Sequence, residues 1–136
     1  MPLGKQDIYQ LLDAHGIAYE AVEHPAVYTV DEADALRMLT DLQGRHHTVC
    51  TGVTVRQGDK ILTESESTEV YFRPATEEEL LAYIATGEPM DKAGSYGVQG
   101  KGSLLVEKLN GDFFNVMGLP VLRLSRMLAQ FGVHLL

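Results

Sequence analysis

Apolar residues recur along this chain in two rhythms, one of three to four residues and one of two. The first rhythm marks helices. Residues 5–15 carry Ile8, Leu11 and Leu12 on one face, and Gly16 stands where a left-handed C-cap is expected. Residues 31–42 place Ala35, Met38, Leu39 and Leu42 at helical spacing, behind an acidic first turn of Asp31, Glu32 and Asp34. Residues 76–85 form the clearest helix: Thr76 and Glu79 make a capping box, Glu77 and Glu78 complement the helix dipole, and Gly87 closes it. Pro120 suits the first turn of a last helix reaching Phe131, which Gly132 stops.

The second rhythm marks strands. Residues 17–22 alternate weakly, and His24-Pro25 then favours extended backbone. Residues 46–56 and 60–73 read as two long strands joined through Gln57-Gly58-Asp59, with Thr68, Val70 and Phe72 on one face and Glu69 and Tyr71 on the other. A second hairpin is expected around Asn110-Gly111, joining residues 103–109 to residues 113–117. Hairpins mixed irregularly with helices imply an α/β domain, a mixed sheet with flanking helices.

Composition narrows the function. The chain of 136 residues holds 11 basic and 19 acidic residues, a net charge of −8. Such a charge disfavours broad binding to nucleic acid or to an anionic membrane. A small anionic ligand remains possible, because one pocket needs only a few local cations. Cys50 is the only cysteine, which excludes an internal disulfide and a thiolate zinc site. No apolar run has signal-peptide or membrane-span length, so the expected home is the cytoplasm.

The stretch at residues 88–102 is the most informative, with four glycines and one proline in 15 residues. Loops of that length inside compact domains are often functional. Its glycines let backbone approach a ligand, and Lys92 and Lys101 are candidates to meet phosphate oxygens. Glu88 and Asp91 are candidates to hold a divalent metal or a water, and Gln99 can both donate to and accept from a base edge. A glycine-rich surface loop explains the same residues, since no spacing here is a Walker or Rossmann pattern.

Several other residues have plain readings. His46 and His47 are strand neighbours facing opposite ways, which makes shared metal ligation difficult. Cys50 reads as a small core residue, Glu77 to Glu79 as a helix-start cluster, and Asp112 as a turn residue.

The run YIATGEPMDKAGSYGVQG at residues 83–100 closely resembles the signature loop of the Maf family. GRHHTV at 44–49 with TGV at 51–53, TEVYFR at 68–73 and GDFFNVMGLP at 111–120 resemble further family stretches in the family's order. The resemblance covers roughly 105 of the 136 residues, as a C-terminal lobe at residues 31–136. It implies a cytoplasmic nucleoside triphosphate pyrophosphatase that uses Mg or Mn and forms a homodimer. It implies pyrimidine nucleotides (dTTP or UTP) as substrate, with Gln99 selecting the base and Lys92, Asp91 and Glu88 lining the same cleft.

The family's Ser-Pro-Arg-Arg turn, its Ala-Asp-Thr segment with the carboxylate taken as general base, and its Gly-Lys-Pro segment are not found here. No two arginines are adjacent, and the residues before Asp31 contain one basic residue, Lys5. Catalysis on a triphosphate, which carries about four negative charges, depends on positioned cations. The implied activity is therefore impaired, and the alternative is an inactive remnant that dimerises or weakly binds nucleotide. Residues 1–30 form a separate N-terminal segment. IYQLL at 8–12, GIAYE at 16–20 and EHPAVYTV at 23–30 resemble the start of YbaK-type prolyl-tRNA editing proteins, a likeness extending to about residue 36. It implies a third possibility, an aminoacyl-tRNA editing hydrolase.

Overall fold

The computed structural model describes residues 31–136. The helix and strand expected before Asp31, and the editing-like segment, lie outside the described residues. The described chain begins with α1, Glu32–Leu42. Its N-cap is Asp31, whose Oδ1 accepts from the Asp34 N–H at 2.8 Å. Ala35 and Leu39 face inward and are fully buried.

Strands β1 (His46–Gln57) and β2 (Lys60–Phe72) then form the expected hairpin. They pair antiparallel from Gln57↔Lys60 to His46↔Tyr71. Gly58 takes φ 60°, the left-handed backbone that a two-residue turn demands. Alternation sends Thr68, Val70 and Phe72 inward, all buried. Cys50 falls on the opposite face from the core and is exposed, beside Thr48, Gly52 and Thr54. The core role expected of it is thus corrected by strand register, since period-two alternation allows only every second residue inside.

Helix α2, Glu77–Ile84, has both halves of the capping box between Thr76 and Glu79. Three short 3-10 turns follow, Glu88–Asp91, Ala93–Ser95 and Gly100–Leu105, so the glycine-rich stretch has local structure of its own. Strand β3, Val106–Asn110, pairs antiparallel with the inner end of β2. The sheet order is β1-β2-β3, with helices flanking it, and the three strands pair antiparallel throughout.

The second hairpin does not form. Residues Phe113–Met117 are a short helix, α3. Asp112 caps it, Oδ1 accepting from the Phe114 N–H at 2.8 Å, and Thr68 Oγ1 bonds both the N–H and the carbonyl of Asp112 at 3.1 Å. Helical backbone also turns Asn115 inward, where its Nδ2 lies 3.1 Å from the Val49 carbonyl and 3.2 Å from that of Glu66. A polar anchor overrides the strand preference of Phe113 and Phe114.

Helix α4, Val121–Ala129, closes the chain against the far end of the hairpin. Two cores share the β1–β2 ribbon: one gathers Leu39, Val70, Phe72, Leu80 and Ile84, the other Val55, Leu124, Met127, Leu128 and Val133. Arg123 of α4 joins Glu64 and Glu66 of β2 at 2.7 and 2.5 Å.

Candidate nucleotide cleft

A cleft of about 470 Å³ opens where β1, the end of α1, the glycine-rich loop and α3 meet. Its apolar wall is Leu42, Val49, Val98, Val116 and Met117, and its polar groups come from His47, Lys92, Tyr96 and Gln99. Alternation along β1 splits the histidine pair as expected. His46 faces out, its ring 5.0 Å from that of Tyr71 and its Nε2 3.7 Å from Glu69. His47 faces the cleft wall, with Nε2 2.6 Å from the Tyr96 hydroxyl.

His47, Tyr96 and Phe72 form an edge-to-face cluster with centroids 4.7–5.3 Å apart. Burial lowers the His47 pKa, Glu69 opposes that effect and His46 reinforces it, so the ring is neutral near pH 7. Its Nδ1 is buried without a partner among the described residues. Burial pushes the Tyr96 hydroxyl up to about 12.

Two of the residues singled out from sequence meet at this cleft. Gln99 is exposed at its rim, its Nε2 3.5 Å from Met117 Sδ. Lys92 lines the wall with its stem across Gly97, where an added Cβ would come within 2.7 Å of Lys92 Cε. Glu88 is turned into the loop. Its carboxylate accepts from the N–H groups of Gly102 and Lys101 and from the Tyr83 hydroxyl, at 3.0, 3.1 and 3.0 Å. Those bonds, led by the one from Gly102, hold its pKa below the ordinary carboxylate range, helped by the nearby charge of Lys92. The Asp91 side chain lies outside what the structure describes. Lys101 borders a separate concavity with Arg73, Glu79 and Leu104. His47 and Tyr96 were not singled out as cleft residues; for His47 the signal was its pairing opposite inward-facing Val70.

Among the described residues no three His, Cys, Asp or Glu side chains come together closely enough to hold a metal ion. Glu88 has both oxygens engaged by the loop. These donors do not make a divalent-metal site. None of the described helices is long and apolar enough to cross a membrane.

The pattern of the Maf-like protein family matches residues 24–131. The chain belongs to the Maf family. Among relatives of this Maf chain, the dTTP/UTP pyrophosphatase of Dictyoglomus turgidum is 51% identical over 108 residues, covering 78% of this chain and 56% of that protein. The dTTP/UTP pyrophosphatase of Bacillus cereus (strain AH187) is 53% identical over 103 residues, covering 76% and 54%. This Maf chain thus spans about half the length of the curated relatives it matches.

Proposed function

We propose that this chain is the base-recognising lobe of a Maf-type nucleoside triphosphate pyrophosphatase with a pyrimidine nucleotide as ligand. The observation that carries the reading is the shared cleft of Gln99 and Lys92, floored by apolar side chains. A pyrimidine ring buries its faces on Val98, Val116 and Met117 while its polar edge meets the Gln99 carboxamide, and Lys92 meets a phosphate oxygen. The names of the relatives, dTTP/UTP pyrophosphatases, support this ligand class.

Hydrolysis to the monophosphate and pyrophosphate needs an activated water and cations aimed at the charge that develops. The described groups supply little of this. Tyr96 is a neutral phenol at pH 7, Glu88 is engaged by backbone N–H groups, and the His47 Nδ1 is closed off. Activity is therefore impaired in this chain. Purified protein with Mg²⁺ or Mn²⁺ should release little pyrophosphate from dTTP or UTP. Robust turnover abolished by Asp91→Asn or Lys92→Ala would overturn this reading.

A second reading is a remnant that self-associates and binds nucleotide weakly. It is favoured by the exposed Phe113, Phe114 and Met117 of α3 and Leu122 of α4. Titrating UTP, dTTP and GTP while following amide shifts separates the two. Loop shifts larger for UTP than for GTP, and reduced in Gln99→Ala, support base recognition. Equal responses, or none, support the remnant.

A further inference from the structure

The turn at residues 97–102 carries Gln99 near its crest, and both its ends are tied to one pair of side chains outside it. At its start, the Gly97 N–H donates to the Tyr83 Oη at 3.1 Å. At its end, the N–H groups of Lys101 and Gly102 donate to Glu88 Oε2 and Oε1, at 3.1 and 3.0 Å. The Tyr83 hydroxyl donates in turn to Glu88 Oε1 at 3.0 Å, so the two anchors are one unit. The ends of the turn also touch. A Cβ on Gly102 would lie 1.9 Å from the Gly97 carbonyl oxygen and 2.7 Å from the Tyr83 Oη.

The anchors are firm for separate reasons. Tyr83 belongs to α2, and its ring is buried in the core with Leu80 and Ile84. Burial pushes its hydroxyl up to about 12, so it keeps the proton it donates. Glu88 begins the 3-10 turn after Gly87, and its N–H is held by Thr86 Oγ1 at 3.2 Å. Only an ionised carboxylate offers enough acceptor positions for all three donors. Glutamine has one oxygen, and its amide nitrogen would meet one of these backbone N–H groups donor to donor.

We propose that Tyr83 and Glu88 form a positioning pair, a clasp that holds the Gln99 turn in the conformation that selects the nucleobase. This rests on the reading of Gln99 as the base-selecting residue. Glu88 then acts on the ligand through the loop, without touching it.

The test uses the full chain, isotopically labelled, with Glu88→Gln and Tyr83→Phe. Amide exchange is measured first without nucleotide, then shifts are followed with UTP and with GTP. In Glu88→Gln the Lys101 and Gly102 amides should exchange about tenfold faster, and in Tyr83→Phe the Gly97 amide should do so. Hairpin amides such as Val55 and Leu62 should keep their protection, and the UTP-over-GTP difference should disappear in both variants. Unchanged exchange at Gly97, Lys101 and Gly102 would overturn the clasp. A loosened turn that still prefers UTP would overturn its role in selection, and loss of hairpin protection would make the pair a general support of the fold. If the wild type itself shows no preference, the base-selection reading fails, and with it the selective role; the nucleotide-free exchange still decides whether the pair clasps the turn.

Discussion

His47 on β1 and Tyr96 in the glycine-rich loop meet at 2.6 Å, the bond by which the sheet side of the cleft holds its loop side. The imidazole is half-buried and its other nitrogen has no partner among the described residues. A charged ring would carry a second buried N–H with nothing to receive it. The pKa of this ring is lowered in the fold from its ordinary 6.5, first by burial. In the unfolded chain His47 therefore takes up its proton at higher pH than in the folded one. Stability contributed by the neutral ring is complete above pH 6.5 and is lost as the pH falls toward the lowered folded value. Urea denaturation at a series of pH values should show this loss, and His47→Gln should lack that portion of it. An identical pH profile in the variant would refute the assignment.

Asn115 ties α3 to both β1 and β2. It is fully buried, and its Nδ2 faces the Val49 carbonyl, the Glu66 carbonyl and Thr68 Oγ1 at 3.0–3.2 Å. Asn115→Ala leaves two carbonyls short of a donor and opens a small void beneath α3. The expected cost is ~2–4 kcal/mol. Asn115→Asp should cost at least as much, because a carboxylate would face those carbonyl oxygens at close range. Chemical denaturation of both variants measures this directly.

The fate of Asn115 also shows where sequence reasoning reached and where it stopped. The β1–β2 hairpin and the capping box of Thr76 and Glu79 were legible because each is written locally, in alternation or in a three-residue spacing. Residues Phe113–Met117 were not, because two adjacent phenylalanines look like a strand until the Thr68–Asp112–Asn115 contacts are known. Those partners lie more than forty positions apart, beyond any local pattern. At the site, Gln99 and Lys92 were singled out from the chemistry of the glycine-rich loop and from the resemblance, and they do share the cleft. The inward turn of Glu88 depends on backbone N–H groups that leave no trace in residue identity. Cys50 was misplaced because its face depends on strand register, which a lone cysteine does not reveal.

Gly102→Ala should act on the loop more than on the fold. The added methyl would stand 1.9 Å from the Gly97 carbonyl oxygen, a backbone atom that cannot swing aside. The turn at residues 97–102 must then open, at a cost of ~1–3 kcal/mol. Gly52→Ala is the control, since nothing lies within 4 Å of a Cβ there. Thermal unfolding should separate the two variants, and nucleotide-dependent amide shifts should survive only in Gly52→Ala.

Lys92 and Gln99 should contribute to binding in different ways. Lys92 lines the cleft and is the phosphate cation of the proposed function, so Lys92→Ala should weaken UTP and GTP alike. A charge-assisted hydrogen bond of ~1.5–3 kcal/mol corresponds to roughly ten- to a hundredfold in affinity. Gln99→Ala should instead narrow the gap between the two nucleotides. The starting affinity is expected to be on the order of millimolar, because two polar contacts barely exceed the entropy of association. A Lys92→Ala variant that loses UTP but keeps GTP would contradict this division of labour.

Self-association is expected through the exposed apolar side chains of α3 and α4. Phe113, Phe114, Met117 and Leu122 are 41%, 51%, 46% and 57% exposed, and the two phenyl rings meet edge to face with centroids 5.8 Å apart. Leu119 and Met127 take no part in this surface, because they pack into the core beside α4. Contiguous apolar surface beyond a few hundred Å² is uncommon on a monomer, and covering it stabilises a complex by ~25 cal/mol per Å² before the costs of association. We therefore expect a dimer or larger species in solution at tens of micromolar. Phe114→Glu with Leu122→Glu should return the chain to a monomer without unfolding it, since both side chains point to solvent. Light scattering reads the mass in each case. A monomeric wild type, or an association untouched by the paired substitution, would remove this surface from consideration.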